Sequence, residues 1–251
     1  MARVRAAILA AGRGVRMGGT EPKTLIPLGG REPMLSHILG GLKTAGVDDV
    51  LVVTGFKPQA IQDYIASHFT DLDVTYVFNA RFASWGNFHS VRVALDQSPN
   101  SDVLVVNSDV VVHPDVYRRV LATGGDLVLA VQKRRVLDDE DMRVRLDGDR
   151  VLGIGKDLKR GFSHGEYAGV SLLRPLAARA YADVANGLEW TAETDLYYED
   201  VYARILDRLE TRAARVNDYE YAEVDTPDDV AAAVAVIERH PDAWAPEAAS
   251  A

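Results

Sequence analysis

The stretch Arg3-Val-Arg-Ala-Ala-Ile-Leu-Ala-Ala-Gly-Arg-Gly-Val-Arg-Met-Gly18 decides the fold of this chain. Residues 3–10 are mostly apolar and predict a buried first strand. The glycine-rich loop that follows, residues 11–19, can approach a ligand closely and turn its backbone amides toward it. Such amides can cradle phosphate oxygens, so the pattern indicates an anion site at the end of the first strand.

Apolar runs and helical patterns alternate through the first half of the chain. Helices are predicted to begin at Pro33, Pro58 and Pro114, and further strands are predicted at residues 50–54, 73–78, 102–106 and 126–131. The run at 102–106 is uniformly apolar, as expected for a parallel strand that is covered on both faces. The alternation predicts an α/β, Rossmann-like three-layer sandwich with a mostly parallel central sheet.

The middle of the chain has a different pattern. A β-hairpin, one more strand, and a long acidic and aromatic helix are predicted, at residues 142–154, 166–173 and about 190–210. The hairpin is indicated by two short alternating runs on either side of the turn Asp147-Gly148-Asp149. These elements form a small insertion in the predicted sandwich.

The last part of the chain predicts one more helix and a tail. Thr226 can cap the helix and Pro227 can be its first residue, with acidic residues in the first turn. Residues 241–251 are rich in Ala and Pro and are expected to be a flexible tail. We therefore expect a single domain over residues 1–240.

Composition excludes several functions. The 251 residues contain no cysteine, so disulfides, thiolate metal sites and cysteine nucleophiles are excluded. The net charge of −9 argues against nucleic acid as a partner. No secretory signal or apolar run of membrane-spanning length is recognisable, so we expect no membrane association and a cytoplasmic location. Residues 1–31 nevertheless carry six cationic side chains against Glu21 alone, which again indicates an anion site.

The loop and the residues after it resemble the signature of the nucleoside-triphosphate transferases. The resemblance rests on Leu9-Ala-Ala-Gly-Arg-Gly-Val-Arg-Met-Gly18 and on Pro22-Lys-Thr-Leu-Ile-Pro-Leu-Gly-Gly30, and no Walker A or complete Rossmann pattern is present. It implies a GT-A-type sheet and catalytic roles for Arg16 and Lys23. It also implies that the NTP phosphates are bound by the loop residues Ala10, Ala11, Gly12, Arg13 and Gly14.

Two acidic motifs predict a metal site. Asn107-Ser108-Asp109 interrupts an apolar run at the carboxyl end of a strand, where ligands bind in open α/β sheets. By resemblance, Asp109 is a metal ligand and Ser108 contacts the nucleotide. The segment Asp225-Thr-Pro-Asp-Asp229 resembles the family's later acidic motif, which makes Asp225 the second ligand. Two such carboxylates suit Mg²⁺.

A stretch between residues 79 and 90 resembles that of the phosphocholine-type cytidylyltransferases. It reads Asn79-Ala-Arg-Phe-Ala-Ser-Trp-Gly-Asn87-Phe-His-Ser90. The resemblance implies that Asn87 and Ser90 line the pocket for the base or ribose. His89 is expected to be a neighbour of this pocket rather than a catalyst.

The acceptor side is expected within residues 132–215. Gly153-Ile-Gly-Lys156 and Gly165-Glu166-Tyr-Ala-Gly169 resemble family segments, which implies that Lys156, Glu166 and Gly169 contact the acceptor. Trp190 and Tyr197 lie among acidic residues, a combination that suits a cationic group. The alternative is an amphipathic helix whose acids face water, so a neutral acceptor stays open.

The resemblance implies a Mg²⁺-dependent transfer of CMP from CTP to a small phosphate or phosphonate acceptor. Phosphocholine, 2-aminoethylphosphonate and 2-hydroxyethylphosphonate are the expected types, and a homodimer is left open. Four alternatives remain: a sugar-1-phosphate nucleotidyltransferase that uses UTP, dTTP or GTP, a molybdopterin-type guanylyltransferase, a GT-A glycosyltransferase and a non-catalytic nucleotide-sensing homologue.

Overall fold

The fold is built on one large mixed β-sheet. In a computed structural model, residues 3–134 and 136–244 are described, and they form a nine-stranded sheet and a separate two-stranded sheet. The strands are β1 Val4–Ala10, β2 Asp49–Thr54, β3 Asp73–Phe78, β4 Asp102–Asn107, β5 Val110–Val112, β6 Leu127–Lys133, β7 Arg143–Asp147, β8 Arg150–Ile154, β9 Gly165–Leu173, β10 Thr211–Val216 and β11 Tyr221–Glu223. The large sheet has the order β3-β2-β1-β4-β9-β6-β10-β8-β7, and β11 pairs with β5.

Helices cover both faces of the large sheet. They are α1 Met34–Thr44, α2 Pro58–His68, α3 Phe88–Asp96, α4 Pro114–Ala122, α5 Pro175–Thr191, α6 Tyr198–Ala203 and α7 Val230–Arg239. One core packs α3, α5 and α6 on one face, and a second core packs α1, α2 and α4 on the other. These layers confirm the predicted sandwich. Among the described residues, no helix combines the length and apolar character needed to cross a membrane.

The prediction of a mostly parallel sheet is wrong. Strands β1, β2, β3 and β4 run parallel, as predicted, but β9 enters between β4 and β6 and is antiparallel to both. The pair β7–β8 and the pair β8–β10 are antiparallel as well. The physical reason is the connection: parallel neighbours need a long crossover, whereas β7 and β8 are joined by a tight turn. The turn therefore accounts for the antiparallel β7–β8 pair, whereas β9 pairs with strands that are distant from it in the sequence.

The single long helix predicted near residues 190–210 is also wrong. The structure has α5 ending at Thr191, with Ala192 in the left-handed region at φ 60°, and a short α6 after an extended segment. That segment pairs with another part of the backbone, because Gly86 N–H donates to the Thr194 carbonyl at 2.7 Å. A Cβ at position 86 would lie 2.0 Å from the Leu196 carbonyl oxygen, so this close approach requires glycine.

The carboxyl-terminal part of the described chain is packed. Thr226 is a cap as predicted, but of a short 3₁₀ turn that precedes α7, and its hydroxyl donates to Asp229 Oδ2 at 2.8 Å. Pro241–Trp244 form a further 3₁₀ turn, and Trp244 is only 7% exposed, with its ring against those of His37 and His113. Residues 241–244, the first part of the predicted tail, are therefore packed against the protein, because Trp244 buries its apolar surface. Residues 245–251 lie outside the described residues.

Candidate active site

Two adjoining cavities lie beyond the carboxyl ends of β1 and β4. The first, called the loop cavity, has a volume of about 320 Å³. It is lined by Leu9, Ala11, Gly12, Gly14, Val15, Arg16, Lys23, Asn87, Ser90, Asn107, Ser108, Asp109 and Asp225. This is the edge at which open α/β sheets bind ligands.

The second cavity, called the acidic cavity, has a volume of about 220 Å³. It is lined by Arg16, Asn87, Asn107, Asp109, Val110, Glu140, Asp141, Met142, Lys156, Glu166, Tyr167, Gly169, Tyr197, Glu199, Tyr221, Glu223 and Asp225. Five residues line both cavities: Arg16, Asn87, Asn107, Asp109 and Asp225. Two ligands bound side by side would therefore meet at these shared residues.

Gly14 lets the glycine-rich loop pass close to Lys23. Its φ of 58° is in the left-handed region, which favours glycine. A Cβ at this position would lie 2.6 Å from the Cβ of Lys23, closer than van der Waals contact allows. The loop geometry and the position of the lysine side chain therefore depend on each other.

Lys23 bridges two carboxylates at the junction of the cavities. Its Nζ lies 3.2 Å from Asp109 Oδ2 and 2.5 Å from Asp225 Oδ1. Arg16 Nη1 lies 3.0 Å from Asp225 Oδ2. Burial lowers the pKa of Lys23, but the two carboxylates outweigh it and the net pKa is raised, so the ammonium group is charged.

The carboxylates of Asp109, Glu223 and Asp225 could hold a metal ion. Each offers an oxygen atom within 4.8 Å of the others. Asp109 Oδ1 is buried and has no hydrogen-bond partner among the described residues, which leaves it available as a ligand. Carboxylate oxygens are the ligands that Mg²⁺ prefers, so these residues fit such an ion.

Glu223 was not predicted from the sequence. It lies at the end of β11 opposite Val110, and the Val224 N–H donates to the Asp109 carbonyl at 2.8 Å. This pairing places the carboxylates of Glu223 and Asp225 next to that of Asp109. Partial desolvation in the cavity, with Asp109 and Asp225 nearby, raises the pKa of Glu223, although the residue as a whole stays exposed to solvent. The spacing Glu223-Val-Asp225 was a usable signal, because alternate residues of a strand share a face.

Asn87 and Ser90 both line the loop cavity. Asn87 Oδ1 accepts a hydrogen bond from the Tyr198 backbone N–H at 2.8 Å. Ser90 is buried, and its hydroxyl accepts from Asn79 Nδ2 at 2.9 Å. His89 lines neither cavity. Its Nδ1 lies within hydrogen-bond distance of Asn79 Oδ1, at 2.8 Å.

Asn107 is a second residue that sequence reasoning did not select. Its Oδ1 accepts a hydrogen bond from the Tyr198 hydroxyl at 2.8 Å. Across the cavity wall, Gly169 adopts a φ of 70°, and a Cβ there would lie 3.0 Å from Asn107 Nδ2. Gly169 thus leaves room for the Asn107 amide, which lines both cavities.

Lys156, Glu166, Gly169 and Tyr197 come together in the acidic cavity. Lys156 Nζ lies 3.1 Å from Glu140 Oε2 and 5.3 Å from the centre of the Tyr197 ring. Burial lowers the pKa of Lys156, but Glu140 and Tyr197 reverse this, so its net pKa is raised. Burial raises the pKa of Glu166 to about 7, although Arg134 Nη1 lies 2.9 Å from its Oε2.

Three residues predicted for the site lie elsewhere. Ala10 lines neither cavity, because its side chain is in the core, on the face of β1 opposite to Leu9 and Ala11. The Arg13 guanidinium packs over the Phe56 ring at 5.2 Å and does not line the loop cavity. Trp190 is 90% exposed near the end of α5 and does not line the acidic cavity.

The fold and the site define a protein of the nucleotide-transferase class. Residues 6–182 match the family model described as the MobA-like NTP transferase domain. This match covers more than half of the chain, so the chain belongs to that family. The resemblance predicted from the glycine-rich loop is thereby confirmed.

Similar proteins agree with this assignment. Over 244 residues the chain is 33% identical to a CMP-5′-(3-aminopropyl)phosphonate synthase of Streptomyces rubellomurinus, with 90% of this chain covered. The chain spans only 37% of the length of that relative.

Solved structures support the fold. The inositol-1-phosphate CTP transferase from T. maritima matches with a TM-score of 0.78 and 18% identity, covering 93% of this chain and 96% of the other. The CTP:phosphocholine cytidylyltransferase from Streptococcus pneumoniae matches with a TM-score of 0.72 and 20% identity, covering 90% and 96%.

Proposed function

We propose that this protein transfers CMP from CTP to a small acceptor that carries a phosphate or phosphonate group, with release of pyrophosphate. The observation that carries the proposal is the junction of the two cavities. There, Lys23 and three carboxylates lie where a nucleotide in the loop cavity would meet an acceptor in the acidic cavity. The names of the similar proteins, which include CMP and CTP, favour cytosine as the base.

The loop cavity suits a nucleoside triphosphate. The backbone amides of Ala11, Gly12 and Gly14 can donate to phosphate oxygens, and Arg16 adds positive charge. Asn87 and Ser90 lie on the other wall, where the base or ribose would bind. Ser108 completes the nucleotide contacts at the end of β4.

The acidic cavity suits the acceptor. We propose that residues 1–240 act as one domain in which residues 132–215 contribute most of this cavity. Lys156 can bind the phosphate or phosphonate group, with Glu166, Gly169 and Tyr197 around it. The net charge of −9 favours small-molecule partners over nucleic acid.

Asp109, Glu223 and Asp225 would hold Mg²⁺. The bound ion would supply positive charge that neutralises the phosphate oxygens of the nucleotide. Lys23 would contribute a second positive charge between the same carboxylates. The reaction requires positive charge beside the phosphate groups, and the metal ion and Lys23 would both supply it at the junction of the two cavities.

The reaction needs no nucleophile from the enzyme. An oxygen of the acceptor attacks the α-phosphorus of CTP, the bond to the β-phosphate oxygen breaks, and pyrophosphate leaves with the negative charge. The acceptor oxygen is already ionised at neutral pH, so no general base is needed. Arg16 would stabilise the departing pyrophosphate and Lys23 the charge that develops at the α-phosphate, so catalysis rests on positioning and charge.

The proposal is tested by pyrophosphate release. Each of four NTPs is combined with phosphocholine, 2-aminoethylphosphonate, 2-hydroxyethylphosphonate and a set of sugar 1-phosphates, with Mg²⁺ or with EDTA. We expect release with CTP and a small acceptor, and none in EDTA. Release with UTP, dTTP or GTP and a sugar phosphate would move the chain to the sugar-phosphate transferases. Binding of CTP without release for any acceptor would contradict an enzymatic function.

A further inference from the structure

The acidic cavity has far more acidic than basic side chains. Seven carboxylates line it, those of Asp109, Glu140, Asp141, Glu166, Glu199, Glu223 and Asp225, against the cations Arg16 and Lys156. An acceptor phosphate or phosphonate is itself an anion, so this excess needs another explanation. Part of it is explained by ion pairs and by the candidate metal site.

Most of these carboxylates have a partner. Asp109 and Asp225 contact Lys23, Glu140 contacts Lys156, and Glu166 contacts Arg134. Asp141 accepts a hydrogen bond from the Asp138 backbone N–H at 2.8 Å. Glu223 belongs to the metal-binding group. Glu199 has no ion pair and belongs to no metal-binding group among the described residues.

Glu199 is buried with one oxygen unsatisfied. It is the second residue of α6, is 5% exposed and lines the acidic cavity. Its Oε2 is buried and has no hydrogen-bond partner within the described part of the chain. A buried acceptor without a donor is costly, so a ligand that brings an N–H group to this oxygen would be bound favourably.

We propose that Glu199, together with Glu166, binds a primary ammonium group at the far end of the acceptor. The acceptor would then be an aminoalkyl phosphonate or an aminoalkyl phosphate, with its anionic end toward Lys156 and Lys23. This inference rests on the proposed function, because it names the substrate class of the same acceptor cavity. Burial raises the pKa of Glu199 to about 8, and a bound ammonium would favour its ionised form.

A quaternary ammonium fits this cavity less well. A trimethylammonium group has no N–H, so it cannot donate to Glu199 Oε2, and its usual site is a cage of aromatic faces. The aromatic residues that line the cavity offer little of that kind. Tyr167 and Tyr221 are only 3% and 7% exposed, so their ring faces are not open to a ligand. The face of the Tyr197 ring is already occupied by Lys156, whose Nζ lies 5.3 Å from the ring centre.

A matched set of acceptors tests the inference on the wild-type protein. With CTP and Mg²⁺, 2-aminoethylphosphonate is compared with 2-hydroxyethylphosphonate, which has the same length without the positive charge, and with phosphocholine. We expect kcat/KM for the amine to exceed that of the other two about tenfold or more, the size of a charge-assisted hydrogen bond. Equal or greater kcat/KM for the hydroxyl or quaternary acceptor would overturn the inference and leave the proposed function intact.

The variant Glu199→Gln assigns the effect to one residue. It keeps the size of the side chain and removes its charge, so KM for 2-aminoethylphosphonate should rise about tenfold or more, while KM for CTP stays unchanged. Glu189→Gln, an exposed position on α5, is the control and should change neither value. A similar loss with 2-hydroxyethylphosphonate would overturn the assignment, because the effect would then not depend on the ammonium group. If this variant does not fold, Glu166→Gln is measured in the same way.

A binding measurement distinguishes a failure of the proposed function from a failure of the ammonium site. If no acceptor gives pyrophosphate, the proposed function fails. Calorimetry of 2-aminoethylphosphonate and 2-hydroxyethylphosphonate, each added to the wild-type protein with CTP and Mg²⁺, then tests the ammonium site directly. Tighter binding of the amine supports the site, whereas equal binding or none overturns it.

Discussion

Replacing Lys23 with methionine tests whether this ammonium group acts in the reaction. The substitution keeps an unbranched side chain of similar length and removes the charge that lies between Asp109 and Asp225. Two unit charges 4 Å apart interact by about 4 kcal/mol at an effective dielectric constant of 20. The Lys23 side chain is 12% exposed, so we reduce this to about 3 kcal/mol for the charge that develops at the α-phosphate.

That free energy corresponds to a loss of about 10²-fold in kcat. The assay is pyrophosphate release at saturating CTP, acceptor and Mg²⁺, so that weaker binding does not enter the result. The control is Lys43→Met, because Lys43 forms a comparable ion pair with Asp71 at 2.5 Å on the surface. It should retain wild-type kcat.

A correctly folded Lys23→Met protein with kcat within about threefold of wild type would refute this reasoning, because that change is below 1 kcal/mol. Equal losses in both lysine variants would refute it as well, since the effect would then not depend on the site. Thermal unfolding of both variants shows whether the fold is retained. The melting temperatures are compared at the same Mg²⁺ concentration, because bound ligands stabilise the folded state.

Three further predictions address the metal group, the loop and the carboxyl-terminal turn. Glu223→Gln should raise the Mg²⁺ concentration for half-maximal activity at least about tenfold, and an unchanged Mg²⁺ titration would exclude this residue as a ligand. Gly14→Ala should lower kcat strongly, because the new Cβ would clash with the Lys23 side chain. Gly148→Ala is the control and should keep wild-type kcat, because Gly148 has a similar φ of 61° and no atom within 4 Å of the added Cβ. Equal kcat values in the two variants would contradict this prediction. Trp244→Ala should lower the free energy of unfolding by about 3 kcal/mol in a urea titration, whereas exposed Trp190→Ala should change it by less than about 0.5 kcal/mol. Similar unfolding curves for these two variants would contradict the packing of the carboxyl-terminal turn.

Local patterns predicted most elements in the first half of the fold, although not α3 or β5. Mostly apolar runs anticipated β1, β2 and β4, and prolines marked the starts of α2 and α4. These features depend on residues that are close in sequence, since burial pattern and proline geometry act within a few positions. The capping role of Thr226 was predictable for the same reason.

Motifs also selected much of the candidate site. Lys23, Asp109 and Asp225 were chosen from three distant segments, and the structure brings them into direct contact. Whether they act as proposed stays a prediction. The sequence could not predict the side-chain directions that put Arg13 on Phe56 and left Trp190 in solvent.

The sequence by itself determined β1, β2, β4, α2 and α4, the loop and the acidic motifs, because each depends on local conformational preference. Tertiary structure alone decided that β9 inserts antiparallel between β4 and β6 and that an extended segment ends the helix after Thr191. It also decided that β11 carries Glu223 to Asp109 by pairing with β5. In each of these cases the deciding hydrogen bonds join residues far apart in the chain, and no local pattern specifies which backbone will be the partner.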